Sequence, residues 1–323
     1  MRKLYSADGI PRGVAIVGPT ASGKTAFSFL LADRLSGEII GCDSMQIYRR
    51  MDIGTAKATE AERRAVPHHL IDFLSPGEPY SAADYGADAR AAASDILSRG
   101  HLPILCGGTG LYLEAARRDR HDSLPPVPAG LRAELAREAD ERGALAMHEE
   151  LAAVDPASAE AIHPNNLRRV IRALEIYRAT GRPKSEWDAE SCARPPLLEL
   201  LVFGLFPTDR EVLRKRIDER VDIMVADGLF DEVRTLWERG ELVPGTTAAQ
   251  AIGYKEALAA LRGECTASEA IEEIKVATHR YARRQLTWFR AVPDLIPLGC
   301  DAGGVIPAER ERALCLVNEF LEK

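Results

Sequence analysis

The chain has 323 residues, 46% of them apolar and 28% charged, with a formal net charge of −7. That length buries a full core and allows one large domain with an insertion, or two smaller domains. No apolar stretch reaches membrane-spanning length and Met1–Asp8 lacks the apolar centre of a signal peptide, so a cytoplasmic protein with no membrane partner is expected. The six cysteines are scattered, with no C-x-x-C pair and no His at ligand spacing, which points away from a zinc site and from a disulfide framework.

The apolar run Val14–Val17 reads as a buried strand. Directly after it, Gly18, Pro19, Thr20, Ala21, Ser22, Gly23, Lys24 and Thr25 spell G-x-x-x-x-G-K-T. Small residues let several backbone N–H groups converge on phosphate oxygens. Lys24 adds a positive charge, Thr25 can ligate Mg2+, and the helical spacing of Ala26–Leu35 brings a helix N-terminus to the same point. The expected ligand is a di- or triphosphate. Glu38–Cys42 and Leu102–Cys106 read as further strands, and Ser81 as the N-cap of a helix reaching Ser98. This alternation implies an α/β fold with a P-loop-type parallel sheet flanked by helices, its ligand at the carboxyl ends of the strands. Gly18, Asp43 and Gly107 each follow a strand's last apolar residue and so should feed one crevice. Asp43 suits the magnesium shell of an ATPase, proton acceptance from a nucleophile, or a turn cap. Thr109, in Cys106–Gly110, offers a hydroxyl to a ligand or caps a helix.

Beyond Tyr112 the texture becomes rich in Ala, Glu and Arg. The proline cluster at 125–128 reads as a stiff connector. Leu131–Arg142, Ala146–Ala153, Ala157–Ile162 and Leu167–Ala179 read as helices, closed by Gly181 and Pro183. Leu198–Phe206 then returns to the sheet as a strand. A helix capped by Thr208 follows, carrying Arg210, Arg214, Lys215, Arg216 and Arg220, some of them on one face suited to a leaving phosphate. The remainder is expected to be helical, including Ser268–Phe289 and the tail Glu309–Leu321. The division is therefore residues 8–118 as the first part of the core, 119–197 as an all-helical insertion, and 198–323 as core completion and C-terminal helices. Cations cluster at Arg168, Arg169, Arg172, Arg178, Arg182 and Lys184 against the single acid Glu175, and again at Lys275, Arg280, Arg283, Arg284 and Arg290. Such patches either dock a nucleic-acid backbone or are solvated helix faces.

These segments resemble the tRNA dimethylallyltransferases, also called tRNA isopentenyltransferases, from Gly13 to Ala291. The resemblance is carried by Gly18–Thr25, Asp43–Tyr48, Met51–Lys57, Pro67–Asp72, Gly107–Tyr112, Ile252–Lys255 and Ala282–Trp288 in that order. It implies transfer of the dimethylallyl group from dimethylallyl diphosphate to N6 of the adenosine next to the tRNA anticodon, releasing diphosphate. Lys24, Mg2+ and Arg216 would then neutralise the leaving diphosphate, and Asp43 would accept the amine proton. The resemblance further implies that Thr109 lies near the diphosphate and Gln46 near the adenine. It gives Asp43, Ser44, Met45, Gln46, Thr109, Arg132, Arg168, Arg169, Val170, Ile171 and Arg172 as contacts to the anticodon stem-loop, on an enzyme expected to be monomeric. Two departures stand out: the family usually has Gln-Arg where this chain has Arg168-Arg169, and Glu114–Ser123 replaces an apolar run. Competing readings are a P-loop small-molecule kinase, a nucleotide-switched RNA-binding module, and a prenyltransferase of free adenine nucleotides.

Overall fold

A computed structural model describes residues 3–118, 127–128 and 130–323. The chain separates into two compact units, one holding the residues up to Arg117 together with Leu197–Lys323, the other Arg118–Pro196.

The first unit begins with β1 (Arg12–Val17), α1 (Lys24–Leu35), β2 (Gly37–Gly41), α2 (Glu60–Ala65), β3 (His68–His69), α3 (Ala82–Ser98), β4 (Leu102–Gly107) and α4 (Gly110–Arg117). The second unit is helical, with α5 (Leu131–Val154), α6 (Pro156–Ala161), α7 (Leu167–Thr180) and α8 (Lys184–Ala193). The chain then re-enters the first unit through β5 (Glu199–Pro207), α9 (Arg210–Ala226), α10 (Leu229–Glu238), α11 (Tyr254–Leu261), α12 (Ala267–Arg290), β6 (Ile296–Asp301), β7 (Gly304–Val305) and α13 (Pro307–Glu322).

The sheet order is β3-β2-β4-β1-β5-β6-β7, parallel throughout except for the β6/β7 pair. Every residue of β1 is buried, which a central parallel strand covered on both faces requires. Val14 and Ile16 pack with Phe27, Leu31, Phe203 and Val317 on one side, while Ala15 and Val17 meet Ile40, Tyr85, Ala89 and Phe289 on the other. The register pairs Val17 with Gly107 and Gly41 with Cys106. The segments that begin at Gly18, Cys42 and Gly108 therefore leave the sheet along one edge, as the strand-end reading requires. A third apolar cluster joins Ile47, Tyr48 and Met51 to Val221, Leu229, Val233, Leu236 and Tyr254 beside that edge.

The α/β class and the parallel sheet follow the sequence reading, and Ser81 caps α3 with a full capping box. Local expectations need correction elsewhere. Asp209, not Thr208, caps α9, its side chain accepting from Glu211 N at 2.9 Å. Thr208 Oγ1 instead donates to Cys300 O at 3.2 Å, tying the end of β5 to β6. The region after α12 is not all helical: β6 and β7 extend the sheet, with Leu298, Cys300 and Val305 packed into its core. The expected break between two helices in the second unit is present: within α5, Gly143 at φ 83 and ψ 161 is not helical and two helices meet there at a kink. Gly181 does end α7, its left-handed φ of 71 letting its N–H reach Tyr177 O at 2.7 Å. Pro183, however, opens a further helix, α8. Half of the proline cluster (residues 125–126) and half of the Glu114–Ser123 departure (residues 119–123) fall outside the described residues.

Candidate active site

The loop from Gly18 to Gly23 carries the chain from β1 into α1. Gly23 sits at φ 93 just before the helix, a backbone angle that any side chain would strain. Lys24 Nζ donates to Pro19 O at 2.7 Å, folding the ammonium across its own loop. Burial lowers the Lys24 pKa to about 8, the nearby Arg220 pushing the same way and Asp43 opposing. Thr25 lies in the first turn of α1.

Asp43 follows β2, and its Oδ1 accepts from Met45 N at 2.9 Å. Thr109 Oγ1 accepts from Ser44 N at 3.0 Å, so this hydroxyl pins the turn that carries Asp43. Gln46 Nε2 donates to Thr55 O at 3.1 Å and to Ala56 O at 3.4 Å. On α9, Arg216 Nη1 donates to Asp301 O at 2.8 Å, and its Nη2 passes 3.7 Å from the position a Cβ on Gly23 would occupy. Arg220 lies one turn further on the same face. Burial and the neighbouring Arg216 lower its pKa, while Asp43 raises it.

Lys24, Thr25, Asp43, Gln46, Arg216 and Arg220 line one cavity of about 550 Å³. Residues 20–25 form one wall, Asp43–Gln46 a second, and Arg216, Arg220, Val221 and Met224 a third; Ala251, Ile252, Ile274 and Tyr281 close it. Arg216 thus approaches the phosphate loop at Gly23, and the same cavity is lined by both cations and apolar side chains. Burial raises the Cys106 pKa, so the thiol beside Lys24 is neutral. Burial also raises the Tyr281 pKa, with the Asp43 charge adding to it and a hydrogen bond with Thr109 opposing.

Gly18, Pro19 and Thr109 support this cavity without lining it. Of the five cations read on α9, only Arg216 and Arg220 reach it. Arg214 and Lys215 face solvent beside Glu211 and Glu219, and Arg210 is exposed as well. Among the lining residues, Gln250, Tyr281 and Gln285 had no assigned role in the sequence reading, and Arg284 had been read only as part of a basic patch. Gln285 is the most informative. Its Oε1 accepts from Thr20 N at 2.9 Å and its Nε2 donates to Gly108 O at 2.9 Å. A Cβ at position 108 would come within 2.1 Å of that nitrogen, so glycine there is what admits the bridge. The signal was a glutamine inside the Ala282–Trp288 motif, visible as a letter but not as a bond.

Thr25 and Asp43 supply hard oxygen donors to the same cavity. Among the described residues no group of three or more His, Cys, Asp or Glu side chains could hold a metal alone. Thr25, the hydroxyl that closes the phosphate-loop motif, therefore fits a magnesium ion that draws its other ligands from water and a bound diphosphate.

The remaining candidates belong to the helical unit. Arg168 and Arg169 are exposed on α7 and have no ion-pair partner among the described residues. Arg132 pairs bidentately with Glu175, at 3.0 and 2.7 Å, and Arg172 meets the same carboxylate at 2.6 Å. Burial pushes the Glu175 pKa up, and the two guanidiniums outweigh it. The wider basic run is neutralised further, since Arg178 pairs with Glu138 and Glu150, Arg182 with Glu186 and Glu190, and Lys184 with Asp188. Val170 is fully buried in the unit's core and Ile171 packs against it. Val170 therefore offers no side chain to a ligand, contrary to its place among the expected contacts.

The IPP transferase family model matches residues 46–292, and the isopentenyl transferase model residues 12–72. The chain belongs to the IPP transferase family. Among its IPP transferase relatives, the tRNA dimethylallyltransferase of Geobacillus thermodenitrificans is 52% identical over 277 residues, covering 86% of this chain and 87% of the relative. That of Roseiflexus is 46% identical over 312 residues, covering 96% and 98%. A solved tRNA isopentenylpyrophosphate transferase from Bacillus halodurans matches with TM-score 0.69 at 43% identity, covering 96% of this chain and 97% of that one. A eukaryotic dimethylallyltransferase solved while acting on tRNA matches with TM-score 0.82 at 30% identity, covering 96% and 79%. The family resemblance read from the motifs is thereby borne out.

Proposed function

We propose that this IPP transferase moves the dimethylallyl group of dimethylallyl diphosphate to N6 of the adenosine next to a tRNA anticodon. The observation that carries this reading is the presence of Lys24 and Asp43 in one cavity, whose lining also includes Arg216, Arg220 and the apolar side chains of Val221, Met224, Ile252 and Ile274. An allylic C–O bond breaks readily once the departing oxygen is neutralised, because the carbon's developing charge is shared along the allyl system. Lys24, the loop amides and Arg216 supply that neutralisation. Magnesium, for which Thr25 would be the protein ligand, would supply Lewis-acid stabilisation of the leaving group when bound.

At the other end, the N6 lone pair is delocalised into the ring. Asp43 has one oxygen engaged by Met45 N, and its second oxygen accepts the amine proton as the N6–C bond forms. The C–O electron pair leaves with the diphosphate, so atoms and charge balance. Thr109 holds the Asp43 turn. Gln46 faces the base. Arg168, Arg169 and Arg172 on α7, with Arg132 on α5, are the cations of the helical unit available to the anticodon stem-loop backbone, although Arg132 and Arg172 must share their charge with Glu175. A base in the anticodon loop is accessible to such a cavity only once it is turned out of its stack.

The test supplies labelled dimethylallyl diphosphate with tRNA, AMP or ATP as acceptor. Label on tRNA with diphosphate release, and no ATP requirement, supports the reading. Label on a free nucleotide overturns the acceptor assignment, and ATP-dependent orthophosphate release overturns the reaction.

A further inference from the structure

Two of the sequence motifs, Met51–Lys57 and Ile252–Lys255, have no chemistry of their own in the reaction above. They meet at Glu232, in the first turn of α10. Glu232 Oε2 accepts from Asp52 N at 2.9 Å and from Ile53 N at 2.8 Å, and its Oε1 accepts from Gly54 N at 3.2 Å and from the Tyr254 hydroxyl. One carboxylate thus takes three successive backbone amides and a buried phenol. Gly54 permits the clasp, since a Cβ there would come within 2.4 Å of the Tyr254 ring.

On its other side the same loop is held by Lys57. The buried Lys57 ammonium donates to Tyr48 O at 2.6 Å, Asp52 Oδ1 at 2.6 Å and Asp72 Oδ1 at 2.8 Å. Between these two anchors stand Thr55 and Ala56, Ala56 in the left-handed region at φ 45. Their carbonyls receive the Gln46 amide nitrogen. Two acceptors facing Nε2 fix which way the amide is turned. Gln46 Oε1 is then the end left for a ligand, and Gln46 lines the cavity.

We infer that Glu232 is a positioning residue for base selection: by clasping residues 52–54 it fixes the Thr55 and Ala56 carbonyls that turn Gln46, so that the site presents an acceptor to the adenine exocyclic amine. Guanine and hypoxanthine carry a carbonyl oxygen at that position and would meet the Gln46 oxygen with like polarity. Glu232 itself touches no substrate. The inference rests on the proposed acceptor, and it adds a residue whose distance from the chemistry hides its role.

The test is a double-substitution cycle with Glu232→Ala and Gln46→Ala, read as prenyl transfer to an anticodon stem-loop. It is paired with competition between stem-loops bearing adenosine or guanosine at the target position. Each single change should lower kcat by about 10–100-fold, and the double variant should be no worse than the poorer single within about threefold. Glu232→Ala should also erase most of the adenosine preference while binding of the diphosphate donor stays near wild type. Glu232→Gln, which keeps one acceptor oxygen, should recover part of both. If Glu232→Ala shows no melting transition, the cycle is run with Glu232→Gln and Tyr254→Phe, each of which leaves most of the clasp. Losses that multiply in the double variant, or an unchanged base preference, overturn the inference. A wild-type protein that transfers nothing to the adenosine stem-loop instead overturns the function on which it rests.

Discussion

The side chain of Gln285 holds the backbone N–H of Thr20, a residue 265 positions earlier in the chain. The phosphate loop is thus set in place by α12 and by the Gly108 carbonyl at the other end of the same amide. Gln285→Leu should leave Thr20 N and Gly108 O without partners, at about 1–3 kcal/mol of stability. The KM for the diphosphate donor should rise by about tenfold. Gln285→Glu should be worse for donor binding, since it replaces a donor with a charge beside the phosphate site. Thermal melting and donor titration measure both. Equal, small effects of the two changes would show that the bridge is dispensable.

Asp43→Asn should lower kcat by about 10²–10⁴ with little change in donor or RNA binding, because it removes the proton acceptor and keeps the shape. Single-turnover transfer on pre-bound RNA is the appropriate measurement. Turnover near wild type would remove Asp43 from the chemistry.

The lowered Lys24 pKa sets a pH limit. Folded Lys24 loses its proton near pH 8, against 10.5 for the ordinary side chain. Between those values the unfolded chain holds more protons, so the cost of burying this charge is complete below pH 8 and is relieved as the pH rises through the window. Donor capture needs the charge and runs the other way. The value of kcat/KM for dimethylallyl diphosphate should fall as the pH climbs past about 8, and Lys24→Arg, whatever its absolute rate, should lack that limb because a guanidinium stays protonated. An unchanged limb in the arginine variant would assign it to another group.

Arg168→Ala combined with Arg169→Ala should weaken RNA binding and lower its salt slope by about one for each phosphate that is no longer neutralised. Arg132→Ala should behave differently. It removes one of the two guanidiniums serving the buried Glu175 carboxylate, so it should lower the melting temperature of the helical unit as well as RNA affinity. Salt titrations beside thermal melts separate the two behaviours. A melting loss in the Arg168/Arg169 variant equal to that of Arg132→Ala would mean that these arginines are structural too.

What could be read from the sequence was what is encoded contiguously. Gly18–Thr25 is one uninterrupted motif, and Asp43 stands immediately beyond a recognisable strand, so the expectation that Asp43 and the loop residues from Thr20 to Thr25 share one cavity could be read from the letters. Gln285, Glu232 and Tyr281 could not be placed in the same way, because their roles are bonds to residues far away in the chain. The basic run on α7 shows the converse error. Counted along the sequence it faces one acid, yet Glu138 and Glu150 reach Arg178 from another helix, and α8 returns acids to Arg182 and Lys184. Strands β6 and β7 were missed because Ile296–Val305 mixes Pro, Gly and Asp with its apolar residues, a pattern that alternation alone does not separate from a loop.

The backbone N–H of Leu197 donates to the carbonyl of Arg117 at 2.8 Å, and those two residues are the points at which the chain leaves and re-enters the first unit. To the sheet, residues 118–196 are therefore a loop already closed, and the entropy of closing a loop grows only with the logarithm of its length. Lengthening, shortening or exchanging the helical unit need not disturb the register of β4, β1 and β5. Seen as heritable architecture, the fold separates two rates of change: the helical unit, proposed to hold the RNA, can drift as an interchangeable cassette, while the cavity proposed to break the allylic bond stays under a separate and stricter constraint.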